Sequence, residues 1–563
     1  MRAHIHTRRQ GRSGRVVAVA GAAGLAAAAL VGCGAAANHS AAPTGHVLLV
    51  GTFHGHAGHY TTIQAAVDAA KPGDWILIAP GDYHAQADLS GKHAGGGSGG
   101  SGYGGASSGS GYGNSGGFGG VLITTSGIHL RGMSRSAVVV DGTKPGSPQC
   151  SAAAADQQLG ATGPDGKPLG RNGIVVYQAN NVSIDNLTVC NFLAGSGSSG
   201  NGIWWNGGAE SGQIGLHGYE GSYLTATSTY FGGEDTAATY GMFSSNSAGA
   251  GSWNQFYASN FNDSGMYVGA CKQACDVTVD HAWMEFNALG YSGTNSGGAV
   301  VIENSQFDNN QDGLDTNTQI DGDPPAPQNG DCPGGATSPI THTRSCWVFL
   351  HNNVHDNNNP NVPEAGSASA GPTGTGMTVS GGTNDTVMDN TFTNNGAWGI
   401  LFVPYPDSSP AVLGQTCAGT GGVAHQGLGC VYDPEGDALL HNTFSHNGFF
   451  GNPSNADFGQ ITLDPGQPQN CFAGNDAPDG STPSNLETVQ PTCGAVTTAA
   501  NTGGALLAQV LCDTGFGGCP ADAHYPKATG VVMHPLPPGL PSMPDPCQGV
   551  PDNPWCSHGR PIT

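Results

Sequence analysis

Charge is scarce in this chain of 563 residues: only 10% of its side chains are charged, and Lys and Arg together number 16. That shortage excludes a coiled coil, a polyelectrolyte tail and a nucleic-acid binder, each of which needs dense charge or basic clusters. Apolar runs long enough to cross a membrane are also missing, because the longest, Val16 to Val31, falls short of a full span. In their place stand 94 glycines and many Asn, Ser and Thr residues around short apolar stretches. This composition suits short strands joined by tight turns.

Arg8, Arg9, Arg12 and Arg15 precede the apolar stretch, as in an export signal. Leu30-Val31-Gly32-Cys33 follows and resembles the bacterial lipobox, in which the Cys is lipidated and becomes the mature N-terminus. Residues 1–32 are therefore expected to be a lipoprotein signal peptide and Cys33 the lipidation site, with the chain anchored on the outer face of the cell membrane; the alternative is a secreted protein. Losing 1–32 removes five of the 16 basic residues and no acid, which leaves 11 against 40 acids, a net charge of −29. No nucleic acid is expected as a partner.

Fourteen further cysteines form an even set in an exported chain, which favours disulfides. Neighbours pair as Cys271 with Cys275, Cys332 with Cys346, Cys417 with Cys430, Cys471 with Cys493, Cys512 with Cys519, and Cys547 with Cys556. Cys150 and Cys190 remain as a seventh pair, and the sequence alone leaves the connectivity open.

Residues 33–46 read as a linker. Beyond it, Ile63, Ala66, Val67 and Ala70 line one face of a short helix, and Thr61 with Gln64 has capping-box spacing. Trp75-Ile76-Leu77-Ile78 reads as a buried strand. A Gly/Ser-rich segment at 95–120 carries no charge and reads as an inserted loop. From Val121 onward short strands alternate with Asn turns, closest in Asn352-Asn353-Val354 with Asn357, Asn390-Thr391-Phe392 with Asn395, and Asn442-Thr443-Phe444 with Asn447. Phe261, Phe286 and Phe307 are 25 and 21 residues apart, a period that means stacked coils. Asn suits the coil corner, since it tolerates left-handed backbone and its amide can bond the same amide one coil away.

The segments Ile63-Gln64-Ala65-Ala66, Pro72-Gly73-Asp74, Ala79-Pro80-Gly81-Asp82-Tyr83, Gly127-Ile128-His129-Leu130-Arg131-Gly132 and Val140-Asp141-Gly142 resemble the right-handed parallel β-helix proteins of the pectin-lyase-like superfamily. The resemblance covers roughly residues 47–475. It implies an all-β solenoid capped by the short helix. Residues 476–563 lose the repeat and read as an irregular Cys- and Pro-rich cap or tail lying on the last coil, with a free extended tail as the alternative. The core expected from the repeat contains Phe307, Phe392, Phe444, Ile302 and Val387.

The family includes polysaccharide lyases, hydrolases and esterases, so the resemblance implies a polysaccharide partner that is bound and, in the fuller reading, cleaved. A non-catalytic adhesin or envelope scaffold is the alternative. Asn310-Gln311-Asp312-Gly313 is similar to part of the polygalacturonase signature, yet the Asp-Asp, Gly-His-Gly and Arg-x-Lys elements are missing. Val279-Asp280-His281 resembles part of a pectate-lyase strand without its Arg-x-Pro-x-x-Arg. A denser candidate is the acidic stretch Asp312, Asp315, Asp321, Asp323 and Asp331. Hard oxygen ligands at this density suit Ca²⁺, with Asp315, Asp321 and Asp323 as its ligands, able to acidify a uronate α-proton. Asp312, Asp315, Arg344 and Lys272 are then the catalytic candidates, the last two as sources of positive charge or a base. His54, His56 and His59 offer a second metal-binding pattern, and Trp204, Trp205, Trp398 and Tyr405 a sugar-binding surface.

Overall fold

The computed structural model describes residues 45–562 apart from 86–117, 164, 197–199, 209–213, 272–273, 318–328, 364–370, 408–416, 418–421, 426–428, 464–467, 494–503, 516 and 518. Cys33, Lys272, Asp321 and Asp323 fall outside the described residues. The compact unit runs from Pro43 to Thr563. It is a parallel β-helix: three long sheets, of 12, 10 and 11 strands, each pairing a strand with its counterpart one coil on. One coil takes Gly298–Glu303 into the first sheet, Gln306–Asp308 into the second and Asp312–Asn317 into the third. Apolar side chains at matched positions stack into columns, such as Phe307, Val354, Phe392 and Phe444 in the second sheet. Phe307, Phe392, Phe444, Ile302 and Val387 all lie in one continuous core and are at most 1% exposed.

The corners divide between two residues the roles expected of one Asn. The residue with left-handed backbone comes first: Asn309, Asp356, Asn394 and His446 have φ of 54–57°. The Asn after each, at 310, 357, 395 and 447, points inward and forms the ladder. Asn310 Nδ2 donates to Asn357 Oδ1 at 3.0 Å, and Asn357 Nδ2 to Asn395 Oδ1 at 3.2 Å. The backbone N–H of each Asn donates to the same oxygen. A second ladder runs through Asn352, Asn390, Asn442 and Asn475 and ends on the Glu487 carboxylate. These bonds satisfy buried amides that no strand pairing reaches.

At the N-terminal end, α1 (Ile63–Ala69) buries Ile63, Ala66 and Val67 over the first coil. Its N-cap is Thr62, not the expected Thr61. Gln64 is free of a capping box because its amide instead pairs with both the N–H and the carbonyl of Leu122, at 2.8 and 3.0 Å, closing the edge of the third sheet. That sheet starts at Phe118–Ile123, so the last three residues of the Gly/Ser-rich segment are already strand.

The far end departs from the expectation of a tail lying on the last coil. The third sheet continues to Ser481–Thr482. Then α2 (Leu486–Val489) covers the end, and α3 (Gly504–Asp513) turns onto the outer face of the third sheet, with Leu506 packed among Trp398, Leu401 and Ile461. From Pro520 the chain runs back along the solenoid as an extended strap. His524 bonds Asn452, Thr529 bonds Asn361, His534 bonds Asn260 and stacks on Phe286, and Met543 bonds Asn186. The last hairpin packs Trp555 and Cys547 against Leu49, Phe53, Trp75 and Leu77 of the first coils. Eleven prolines between Pro520 and Pro561 explain why the strap joins no sheet: they lack the N–H that a ladder needs. The corner Asn and Arg side chains supply its bonds instead.

Seven disulfides are formed, and each joins the pair that lies closest in sequence, with Cys150–Cys190 as the long-range exception. Such a set fits a protein exported to an oxidising compartment. No helix among the described residues is long and apolar enough to cross a membrane.

Candidate functional site

Corner length decides which face is a groove. The turn from first to second sheet takes two residues in coil after coil, as at Asn304-Ser305 and Asp389-Asn390. Both edges of the third sheet instead carry longer connections, whose described parts include 142–163 and 356–363 on one side and, on the other, 329–346 and the antiparallel strands Tyr405–Asp407 and Gly429–Tyr432. The outer face of the third sheet is thus the floor between two loop walls.

Strand alternation puts one outward column on this floor: Leu122, Val175, Trp204, Phe243, Tyr267, Ser292, Asp315, Thr378 and Leu401, each paired with the next. Six of these nine are aromatic or apolar, and the polar three, Ser292, Asp315 and Thr378, follow one another toward the C-terminal end. Trp204 stacks on Phe243 at 5.1 Å, and Tyr240 lies 4.6 Å from Phe243 and 5.1 Å from Tyr267. Trp204, Phe243 and Tyr267 are 2–7% exposed, whereas Tyr177 and Tyr240 are partly exposed at the rim. Trp205, one residue on, faces the inner core. Trp398 lies under α3, and Tyr405 is buried in a small antiparallel sheet.

A glycine column borders the floor. Gly173, Gly202, Gly241, Gly265, Gly290, Gly313, Gly376 and Gly399 occupy successive coils, and a Cβ at Gly313 would sit 2.2 Å from the Gly376 carbonyl oxygen. Asn310 and Gly313 of the Asn-Gln-Asp-Gly segment are therefore explained by stacking alone.

Asp312 and Asp315 share the strand Asp312–Asn317, yet their environments differ. Asp315 accepts from the Thr378 and Ser380 hydroxyls at 2.7 and 2.8 Å and from Asn317 Nδ2 at 3.1 Å. Asp312 is fully buried, and neither of its oxygens has a hydrogen-bond partner among the described residues. Burial, then the Asp315 charge, holds the Asp312 carboxyl well above the ordinary range. Asp513, at the end of α3, is raised by burial too and adds to the effect.

Arg344 is not brought to this pair. It lies at the opposite end of the strand, in the loop returning to the first sheet, where it faces Asp331 at 3.5 Å with two-thirds of its side chain exposed. Of the expected Ca²⁺ ligands only Asp315 is described, and its oxygens already receive three donors. His54, His56 and His59 do not converge; the metal-binding groupings among the described residues lie elsewhere. Asp280 and His281 form a coil corner, with His281 at φ 54°.

One pair went unrecognised in the sequence. Tyr240 Oη donates to Asp263 Oδ2 at 3.1 Å, and burial pushes the Asp263 carboxyl up to about 7 against the lowering effect of the Tyr240 hydrogen bond. The two residues are 23 positions apart, one coil, which is the only signal that links them in the sequence. A carboxyl poised near neutrality beside a phenol is able to take up and return a proton.

No family model matches the chain, and no curated protein matches it. Among solved structures, the A-module of the Azotobacter vinelandii mannuronan C-5 epimerase AlgE6 is 13% identical with a TM-score of 0.40, over 74% of this chain and 90% of that one. An alginate lyase from a Paenibacillus species is 12% identical with a TM-score of 0.33, over 78% and 96%. A rhamnogalacturonan lyase is 12% identical with a TM-score of 0.39, over 77% and 87%. These are distant likenesses of overall form.

Proposed function

We propose that the protein binds an extended polysaccharide along the groove over the third sheet. The observation that carries the reading is the outward column from Trp204 through Phe243 and Tyr267 to Ser292, Asp315 and Thr378, with loop walls on either side. The partly exposed rings of Tyr177 and Tyr240 offer apolar stacking area over this buried column, whose strands step by about 4.8 Å. Tyr177 and Tyr240, the partly exposed rings of the cluster, make first contact. In the cell the chain acts on the outer face of the membrane, held by a lipid on Cys33.

A cleaving version of this reading uses Asp312, Asp315, Arg344 and Lys272, with Ca²⁺ on Asp315, Asp321 and Asp323. The sealed Asp312 and the Arg344–Asp331 pairing favour binding over that chemistry. If a bond is broken, Asp263 with Tyr240 is the better placed proton carrier. The test is a screen of the chain from Gly34 against acidic and neutral polysaccharides, with and without Ca²⁺, reading binding, the ultraviolet absorbance of unsaturated products, and new reducing ends. Binding lost in Tyr240→Ala supports the reading. Products abolished by Asp263→Asn support cleavage there, and products abolished by Asp315→Asn with a Ca²⁺ requirement support the lyase version. No binding to any glycan overturns it in favour of an adhesin or envelope scaffold.

A further inference from the structure

The N-terminal coils carry a second cluster, far along the fold from the groove residues Asp263 and Asp312. Asp82 is the central residue of the strand Gly81–Tyr83, and strand alternation points Asp82 and His84 to the same, outer face of the second sheet. The next coil's strand, Val138–Asp141, buries Val138 and Val140 and turns Asp141 outward beside His84. One ligand atom from each of Asp82, His84 and Asp141 lies within 4.8 Å of the others.

The imidazole is oriented by a group that can only accept. His84 Nδ1 lies 3.1 Å from the Thr143 carbonyl oxygen and 3.5 Å from the Thr143 hydroxyl, and the nearer, acceptor-only carbonyl favours the proton on Nδ1. In the neutral ring the Nε2 lone pair then faces Asp82 Oδ2 at 3.3 Å. Two acceptors at that distance repel unless a positive charge stands between or beside them. Asp141 adds a second carboxylate. The Asp141 side chain is itself fixed: Oδ1 accepts from the Thr143 N–H at 2.7 Å and Oδ2 from the Cys150 N–H at 2.5 Å, on a loop stapled by Cys150–Cys190. Arg171 reaches the carbonyls of Ala85 and Gly142, one residue beyond His84 and Asp141, and brackets the two strands. Its single charge offsets one carboxylate and leaves the other.

We infer that Asp82, His84 and Asp141 bind one divalent transition cation of the Zn²⁺ or Mn²⁺ class. A carbonyl-oriented imidazole with two carboxylates is a donor set for such ions, whereas Ca²⁺ takes oxygen ligands. Bonds of about 2.0–2.2 Å hold ligand atoms at most about 4.4 Å apart, so a small rotation of the partly exposed Asp82 closes the set. Bound there, the ion ties the first coil to the second beside the Cys150–Cys190 staple.

The test uses the whole exported chain, stripped with chelator and titrated calorimetrically with Zn²⁺, Mn²⁺ and Ca²⁺ in turn, with the thermal midpoint followed in parallel. One Zn²⁺ or Mn²⁺ per chain is expected, with a raised midpoint. Affinity should fall by about tenfold or more in both His84→Gln and Asp82→Asn. Both side chains face outward, and circular dichroism with the unfolding midpoint of the stripped variants verifies their fold. Absence of Zn²⁺ and Mn²⁺ binding overturns the assignment. So does binding of equal strength in the two folded variants, which places the ion elsewhere, and so does Ca²⁺ as the only ion bound.

Discussion

Trp555 Nε1–H donates to the carbonyl of His56 at 2.9 Å, across 499 residues of sequence, and the indole is fully buried against Phe53. The last hairpin of the chain thus seals the first coil, and the strap behind it touches coil after coil on the way. Trp555→Ala is expected to cost about 3–5 kcal/mol locally. Hydrogen exchange should then quicken together at Val47–Val50 and along 530–562; exchange that quickens only at the hairpin would show that the strap holds without its anchor.

The Asn ladder is expected to be fragile at single sites. In Asn357→Leu the N–H and Nδ2 of Asn310 lose their shared acceptor, and a buried donor left unpaired costs about 1–3 kcal/mol. Asn358→Leu, at the neighbouring half-buried position, should cost less. A thermal midpoint lowered equally by both would argue against the ladder.

Core columns should respond by burial. Phe392 is fully buried and stacks on Phe444 at 5.1 Å. Phe392→Ala is expected to cost about 3–5 kcal/mol, read from the shift in denaturation midpoint; a change within about 0.5 kcal/mol would contradict the packing.

The raised Asp312 carboxyl makes stability depend on pH. Its folded pKa lies above the unfolded one, so the folded state binds the extra proton. The contribution is fully present below the ordinary Asp range, near 4, and is lost as pH rises through the raised folded value. Asp312→Asn is expected to flatten the fall in thermal midpoint above that range and to match the parent most closely at low pH. Parallel profiles for the two proteins would mean that Asp312 does not carry the dependence.

The cysteines and the N-terminus are checked by mass spectrometry. Non-reducing peptide mapping of the exported protein should show the seven pairs, with no free thiol among the fourteen. The mature chain should begin at a lipidated Cys33, and an unmodified Cys33 would remove the anchor from the proposal.

Stacked coils, the core Phe and Val columns, the Asn corners and the nearest-neighbour cysteine pairs were legible in the sequence because each repeats locally or closes a short loop. A 20- to 25-residue period leaves its mark on every coil, and strand alternation follows from it. Only the tertiary structure decided the rest. Arg344 sits within the same insertion as Asp331 but at the other end of a strand from Asp312, a separation that sequence distance hides. Tyr240 meets Asp263, and His84 meets Asp141, because residues one coil apart are neighbours in a solenoid whatever the loops between them hold. The strap shows the same limit at its largest. Its prolines announce a segment outside the sheets, but the corners it binds, from Asn452 back to His56, are chosen by the order in which the coils stack.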